Sequence, residues 1–332
     1  MPISIFRPDI YVLLKYARGA GYGASAAAAA GESRGIYCYG TARHGKTRNI
    51  ERNTLFQAGS VSKPAFALTL LRYADRGELD IDADISGYLS EFVDSPLTFS
   101  ALLSHTAGFN VHGFRGYRAD APAMSLEDVI LGRGNSPKVE QVKPYGQQYM
   151  YSGGGITLAE LAFTRITGKT LRDAFAEEVA EPLSLKNTGY FQPLDEERAA
   201  DAAFGGRLGE KEDRNHGWHY YPEHAAAGLW TTPSELVTIG LELSRSYRDG
   251  GLLKRETAVR MMTPVMKDYG LCMSVRDGCA GHSGWNEGFL TYWKFSLTED
   301  RCAAVMVNKT DLLTSRMLAR SGDSLFSTFG NR

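Results

Sequence analysis

The spacing of hydrophobic residues predicts a β-hairpin near the start of the chain. Two apolar stretches, Ala24–Ala30 and Ile36–Ala42, lie on either side of a short segment that contains glycine, as the strands of a hairpin do. Local propensity would make a helix of the alanine run, but it is only about two turns long, so a closely covered strand is preferred. Before the hairpin, residues 9–18 predict a short helix.

A second pattern, with apolar residues three and four positions apart, predicts a helix after residue 58. Pro64 is tolerated only in a first helical turn, because deeper inside it would clash with the carbonyl four residues back. The helix is therefore predicted to start near Ser60 and to stop at Gly77.

The middle of the chain is helical and rich in loops, whereas the final third is strand-like. Helices are predicted at 100–104, 126–131, 157–167, 171–179 and 235–243, and strands at 271–275, 288–295 and 302–307. Strands at both ends with helices between them predict one mixed sheet assembled from the two termini. We divide the chain into a discontinuous α/β sheet domain, 1–96 plus 221–332, and a helical subdomain, 97–220.

Composition narrows the class of protein. Lysine plus arginine total 37 against 38 for aspartate plus glutamate, so the formal net charge is -1, and no long block carries one sign. Nucleic acid is therefore not an expected partner.

No apolar run approaches the roughly 18 residues that cross a bilayer, so no membrane association is expected. The start of the chain predicts a cytoplasmic protein, with an exported form whose signal peptide has been removed as the alternative.

Four cysteines are too few and too scattered for a disulfide framework, and we expect buried thiols at Cys38, Cys272, Cys279 and Cys302.

The sequence Ser60-Val61-Ser62-Lys63 opens the predicted helix and carries two residues that can do chemistry. Side chains three residues apart at a helix start lie on one face, within reach of each other. A serine hydroxyl is a weak nucleophile, whereas a partly desolvated amine loses its proton readily and can accept the serine's. Ser60 is therefore the candidate nucleophile and Lys63 its candidate base. Taken alone, the motif is as compatible with a helix cap beside a surface lysine.

Two further motifs follow, and together the three carry a family resemblance. They are Tyr149-Met150-Tyr151-Ser152-Gly153-Gly154-Gly155 and, between predicted strands, Gly281-His282-Ser283-Gly284-Trp285. With these motifs in this order the chain resembles the penicillin-recognising serine hydrolases: class C β-lactamases, D-alanyl-D-alanine carboxypeptidases and family VIII carboxylesterases. Supporting stretches at 102–108, 167–169, 181–188 and 227–232 extend the resemblance over nearly the whole chain. It implies an α/β fold of the β-lactamase/transpeptidase type, in which an antiparallel sheet is flanked by helices and carries an all-helical inserted subdomain.

The resemblance also implies roles for individual residues. Ser60 is the acylated nucleophile, Lys63 its proton acceptor and Tyr151 the acid/base of the second motif. Proximity to Lys63 is expected to stabilise the phenolate of Tyr151 or to let the pair share one proton. The backbone N–H groups of Ser60 and Trp285 form the expected oxyanion hole. Neither a cofactor nor a metal is implied.

The third motif takes the place of the family's K-T-G strand and is expected to bind substrate. Ser283 offers a hydroxyl, Gly284 lets the substrate backbone approach, and His282 replaces the usual lysine. Another departure is Gly153, which stands where β-lactamases have the asparagine of Y-x-N. Gly153 is expected to contact the substrate at this position. Without that amide, efficient hydrolysis of β-lactams is not expected.

Other interpretations were weighed from the residues. Tyr149 competes with Tyr151, His282 fits an ordinary strand histidine as well, and His105 fits a packing role. His216, His219 and His224 form a loose cluster that favours a pocket rim over a metal site. An α/β-hydrolase elbow at Ser283 fails, because Trp285 stands where its motif needs glycine and no histidine follows His282.

The sequence thus predicts a serine hydrolase that works through an acyl-enzyme on Ser60, with short-chain carboxylic esters as the favoured substrates. Alternatives on the same residues are a β-lactamase, a D-alanyl-D-alanine carboxypeptidase or D-aminopeptidase-type amidase, and an acyltransferase. A non-enzymatic alternative is an inactive penicillin-binding-like module. The expected partner is a small ester or amide, and the chain is expected to be a monomer or a small homo-oligomer.

Overall fold

The computed structural model describes residues 12–13, 15, 21–43, 46–118, 121–207 and 217–330. The strands are β1 (Gly23–Ala30), β2 (Ser33–Gly40), β3 (Phe56–Gln57), β4 (Tyr117–Arg118), β5 (Gly206–Arg207), β6 (His219–Tyr220), β7 (Trp230–Thr231), β8 (Ser274–Arg276), β9 (Cys279–Asn286), β10 (Phe289–Ser296), β11 (Arg301–Val307) and β12 (Lys309–Thr310). Six of them form one sheet in the order β2-β1-β11-β10-β9-β8. Every neighbouring pair in this sheet is antiparallel.

The described residues also form α-helices. They are α1 (Ser62–Asp75), α2 (Phe99–Leu103), α3 (Leu126–Ile130), α4 (Gly153–Thr167), α5 (Leu171–Phe175), α6 (Glu196–Asp201), α7 (His224–Ala227), α8 (Pro233–Asp249), α9 (Arg255–Met261) and α10 (Leu312–Thr328). Helix α8 packs on one face, against β1, β10 and β11, and α10 packs on β10 and β11. The predicted antiparallel sheet flanked by helices is confirmed.

The alanine run forms the inner strand β1, between β2 and β11. Its alternate residues belong to two separate apolar clusters: Ala27 and Ala29 lie in the larger one, whereas Ala24, Ala26 and Ala28 lie in the cluster beneath α10. Both faces of the strand are therefore covered, and small side chains let the helices on either side approach closely. The preference for a strand over a helix was correct because burial on two faces overrides the helix propensity of alanine.

Helix α1 is the central helix, and most of its side chains are buried. A single 3₁₀ turn, Gly59–Val61, precedes it, so the α-helix itself begins at Ser62, two residues after the predicted start. Gly59 has a φ of 54°, a conformation that side chains disfavour. Pro64 lies in the first turn as predicted, and Gly77 follows the helix with a φ of 73°.

Helix α4 is longer than the predicted helix over 157–167, because it starts at Gly153. Ser152 caps it, since its Oγ accepts a hydrogen bond of 2.8 Å from the N–H of Gly155. Three successive glycines have poor helix propensity and hid this start. Helix α8 likewise extends beyond the predicted 235–243, with Thr232 as its cap.

The third motif forms most of β9. Patterning predicted it between two strands, whereas the resemblance to the K-T-G strand implied the strand that is observed. The expected strand over 271–275 shrinks to β8, because Cys272 has a φ of 56° and interrupts the extended backbone. The segment 97–220 also contains the two-residue strands β4 and β6, which pair with each other.

Some predictions lie outside the described residues or are left open. Most of the predicted helix 9–18 lies outside them. The proposed division into two domains stays a prediction. Within the described residues, no helix is both long and apolar enough to cross a bilayer. All four cysteines are free thiols, with Cys272 and Cys302 buried and Cys38 and Cys279 half-buried.

Gly284→Ala is expected to destabilise the fold strongly. A methyl group at this position would lie 1.8 Å from the carbonyl oxygen of Ala58, and both groups belong to the backbone, so β9 and the turn before α1 would have to separate. We expect the free energy of unfolding to fall by more than about 2 kcal/mol in urea denaturation. Gly87→Ala is the control, because a Cβ there meets nothing within 4 Å. Equal losses in the two variants would contradict this close contact.

Candidate active site

Ser60 and Lys63 meet at the start of α1, as the first motif predicts. The Nζ of Lys63 donates one hydrogen bond to Ser60 Oγ, at 3.0 Å, and another to the carbonyl oxygen of Ala226, at 2.8 Å. Only 1% of the lysine is exposed. Burial lowers the pKa of Lys63 to about 7, although nearby Glu223 opposes this shift. At neutral pH a substantial share of the amine is therefore uncharged and can accept the serine proton.

Tyr151 completes this group. Its ring centroid lies 5.1 Å from the Nζ of Lys63. Burial raises the pKa of Tyr151 well above its ordinary value, while a hydrogen bond with Ser60 acts in the opposite direction. The expectation of a stabilised phenolate is therefore not met, because the burial of Tyr151 itself disfavours its charged form. Tyr151 is a neutral phenol in contact with the serine hydroxyl.

Tyr149, the competing tyrosine, lies farther out. Its ring packs on Tyr269, with centroids 5.4 Å apart, and on the Nζ of Lys267 at 5.1 Å. Burial raises the pKa of Tyr149 to about 12. The geometry therefore favours Tyr151 over Tyr149 as the proton-transferring group.

The backbone of β9 lies directly against the turn that carries Ser60. A Cβ built on Gly59 would lie 2.6 Å from the backbone nitrogen of Trp285, and one built on Gly284 would lie 3.3 Å from the backbone nitrogen of Ser60. The two N–H groups expected to form the oxyanion hole thus belong to adjoining backbone segments. Glycine is required at both positions for this approach.

One edge of β9 is open beside the serine. Strand β8 pairs with β9 only as far as Gly281, so from His282 onward this edge has no strand neighbour among the described residues. Ser283 and Trp285 are exposed here, Trp285 to 50%. The third motif therefore presents backbone and side-chain groups to a bound molecule.

His282 carries no charge at neutral pH. Its Nδ1 lies 2.6 Å from the carbonyl oxygen of Ser283, which can only accept, so Nδ1 bears the proton. Its Nε2 then accepts a hydrogen bond of 3.0 Å from the hydroxyl of Tyr269. Burial, together with the Lys63 charge, lowers the pKa of His282 to about 3. A neutral, doubly hydrogen-bonded ring thus stands where the family has a lysine.

The ring of His105 packs against the ring of Tyr151. The N–H of Ser152 donates to His105 Nδ1 at 3.2 Å, and the rings of His105 and Tyr151 lie with centroids 4.3 Å apart and planes tilted by 45°. His105 also has an unusual φ of 58°. This position fits the packing role that was favoured for it.

His112 and Tyr269 were missed by sequence reasoning. The ring of His112 lies 4.8 Å from that of Tyr151, and Tyr269 holds His282. Neither belongs to a recognised motif. The only local signal near His112 is the preceding Val111, whose φ of 58° is rare for a β-branched residue and is visible only in the structure.

These groups line a cavity of about 490 Å³. Ser60, Tyr151, His282 and Trp285 all reach it, with His112 and Tyr269 on its walls. No aspartate, glutamate, lysine or arginine is found among the described residues that line it. The cavity therefore suits an uncharged molecule.

The histidine cluster is not brought together in the part of the chain that can be described. His216 lies outside the described residues. The Nδ1 of His219 lies 2.7 Å from the carbonyl oxygen of Arg115, whereas His224 faces Glu160. Across the described ranges, no three His, Cys, Asp or Glu side chains are placed to hold a metal ion.

Comparison with known proteins identifies the family. A family model described as Beta-lactamase matches residues 16–323. The chain belongs to the beta-lactamase family. Esterase EstB from Burkholderia gladioli is 30% identical to it over 160 residues, which are 43% of this chain and 40% of EstB. The chain spans about two fifths of the length of the curated relatives it matches.

Solved structures share the fold of this beta-lactamase-family chain. D-amino acid amidase from Ochrobactrum anthropi SV3, complexed with D-phenylalanine, has a TM-score of 0.80 and 19% identity over 98% of this chain and 99% of that one. A penicillin-binding protein from Bacillus halodurans has a TM-score of 0.74 and 19% identity over 96% and 100%. The family membership that the sequence predicts is confirmed.

The reactivity of Ser60 should rise with pH through about 7, because only the neutral amine of Lys63 can take the serine proton. Below that pH, the labelling rate with a fluorophosphonate probe should fall about tenfold per pH unit. Lys63→Met should remove the labelling at every pH, whereas Lys169→Met, which removes an exposed lysine, should leave the profile unchanged. A rate independent of pH between 5 and 8 would contradict the role of Lys63.

Proposed function

We propose that this chain is a carboxylesterase that hydrolyses small uncharged esters through an acyl-enzyme on Ser60. The observation that carries the proposal is a cavity whose described lining residues include no charged side chain and do include Ser60, whose hydroxyl is hydrogen-bonded to the buried amine of Lys63. Uncharged esters with small acyl groups match both the polarity and the volume of this cavity.

Acylation begins when Ser60 Oγ attacks the ester carbonyl carbon and its proton passes to Lys63 Nζ. The N–H groups of Ser60 and Trp285 hold the negative oxygen of the tetrahedral intermediate. As the C–O bond to the alcohol breaks, the proton moves from Lys63 through the Tyr151 hydroxyl to the leaving oxygen. Because Tyr151 gains one proton and gives up another, it remains a neutral phenol.

Deacylation runs the same path in reverse with water in place of the alcohol. Water gives a proton to Lys63 through Tyr151 and attacks the acyl carbon. The bond to Ser60 Oγ then breaks, and the proton returns to the serine. The acid is released, and all three residues regain their starting protonation states.

Two features disfavour β-lactams and D-alanyl peptides, which carry a carboxylate. His282 is neutral at the place of the family's lysine, so it supplies no cation for that carboxylate. At Gly153, a Cβ would lie 3.0 Å from the Phe114 ring and 3.1 Å from the carbonyl oxygen of His112. The surroundings therefore crowd the space that an asparagine side chain would enter.

An amidase acting on amino-acid amides is the second candidate, because the D-amino acid amidase shares the fold over nearly the whole chain. Such a substrate carries an ammonium group, for which an acidic partner is the usual means of recognition. The described lining residues include no acid. The ester is therefore preferred.

Intact-protein mass spectrometry should show an acyl adduct after brief mixing with p-nitrophenyl butyrate. We expect rapid turnover of this ester, no lasting adduct with a fluorescent penicillin and no turnover of D-phenylalanine amide. Ser60→Ala is the control and should form no adduct with any of the three. A stable penicillin adduct on Ser60 would favour a penicillin-binding or peptidase role, turnover of the amide would favour the amidase, and the absence of any reaction would favour an inactive module.

Tyr151→Phe should lower ester turnover by about a hundredfold or more, because the path of the proton between Lys63 and the leaving oxygen is lost. Tyr149→Phe is the matched control and should keep a rate near that of the wild type. The measurement is kcat from the release of p-nitrophenol at fixed pH. A larger loss in Tyr149→Phe than in Tyr151→Phe would transfer the role to Tyr149.

A further inference from the structure

The four-residue helix α7 joins the motifs of the active site. The carbonyl oxygen of Ala226 accepts the hydrogen bond from Lys63 Nζ, at 2.8 Å. The next carbonyl, that of Ala227, accepts a hydrogen bond of 3.0 Å from the side chain of Asn286, the last residue of β9. The first and the third motifs are thus both held by neighbouring carbonyls of α7.

The residues that follow α7 continue this connection. The N–H of Leu229 donates to Ser62 Oγ at 2.9 Å, and its carbonyl oxygen accepts from the N–H of Ala58 at 2.9 Å. Ser62 and Ala58 flank the turn that carries Ser60. The position of α7 therefore sets the position of the nucleophile as well as that of its base.

A helix of one turn does not stand alone in water, so its place must be imposed from outside. Its N-cap residue, Glu223, makes no side-chain capping bond. Instead, the N–H of Ala225 donates to Oε2 of Glu160 at 2.8 Å. This N–H is one of the groups that a helix leaves unpaired at its start, and Glu160 satisfies it from another helix.

Glu160 belongs to α4, the helix that begins just after Tyr151. Only 2% of Glu160 is exposed, and its other oxygen, Oε1, lies 3.7 Å from His224 Nδ1. A single buried carboxyl therefore connects the helix of the second motif to the short helix that holds the first and the third. Glu160 does not line the cavity.

The environment of Glu160 suits an uncharged acceptor. Burial raises its pKa to about 8, with the Ala225 hydrogen bond acting against this shift. At neutral pH the side chain is mostly a neutral acid whose Oε2 accepts the N–H. Glutamine has the same length and an equivalent acceptor oxygen, so it can replace the acid.

We propose that Glu160 is a positioning residue for Lys63 and Ser60, and that it acts by holding α7 through the N–H of Ala225. The inference rests on the proposed function, because its effect is read from acylation of Ser60. It assigns Glu160 no contact with the substrate. Its removal should therefore slow acylation and leave the binding of the ester unchanged.

The test compares Glu160→Leu, which keeps the bulk but removes the acceptor, with Glu160→Gln, which keeps both. With p-nitrophenyl butyrate we expect Glu160→Leu to lower kcat about tenfold to a hundredfold with little change in KM, since displaced catalytic groups cost this much. Glu160→Gln should restore the wild-type rate. Glu160→Asp, which keeps a carboxyl on a shorter side chain, should have a kcat between those of Glu160→Leu and the wild type. It replaces Glu160→Leu in the test if that variant does not fold.

Glu242→Leu is the matched control. Glu242 is also a mostly buried helix acid, and its Oε1 accepts the N–H of Leu252 at 2.5 Å, but it lies on α8 and contacts none of the three motifs. Both leucine variants should lower the unfolding temperature, and only the one at Glu160 should slow acylation. Equal slowing in both variants, or a rate for Glu160→Gln as low as for Glu160→Leu, would overturn the inference. A wild-type protein that is never acylated would overturn the proposed function itself, whereas a fast Glu160→Leu would overturn only the role of Glu160.

Discussion

The proposed chemistry of this protein depends on one buried amine, that of Lys63. Lys63 is almost completely removed from water, and this desolvation lowers its pKa toward neutrality. Its two hydrogen-bond partners, a serine hydroxyl and a backbone carbonyl, carry no charge. Two neighbouring side chains are uncharged as well, each chiefly because of its own burial. Tyr151 stays a phenol, and His282 is kept neutral in part by the residual positive charge of the lysine.

Such an amine needs an enclosed position, and the fold supplies one from three directions. Helix α1 presents Lys63, α7 covers it with Ala226, and α4 brings the Tyr151 ring against it. No two of these elements are adjacent in sequence. The site therefore exists only when the segments between these elements are folded. The three-residue spacing of Ser60 and Lys63 could suggest that Lys63 is a base, but the protonation state of the lysine depends on burial by distant segments.

The sequence predicted those parts of the site that depend on local rules. Ser60 and Lys63 meet because of their three-residue spacing at a helix start. Gly284 was expected to admit the backbone of the substrate, and in the structure it admits the backbone of Ala58. The central sheet was accessible in part, since patterning predicted several of its strands, but their order is seen only in the structure. The contacts of Glu160 and Tyr269 were not accessible, because each joins residues more than ten positions apart and neither lies in a recognisable motif. The start of α4 was missed for a different reason: a capping serine was present, but three glycines concealed it.

The alanine strand β1 has a consequence for how this sequence can change over time. Its side chains face two helices at once, and it pairs with β11, whose own neighbour β10 holds β9 in register. A larger residue on either face of β1 would push the helix on that face away and tilt the sheet toward the helix on the opposite face. That tilt would reach β9, which approaches the serine turn without room for a methyl group. A change in the core at β1 can thus affect the serine turn, although no residue of β1 belongs to the three motifs.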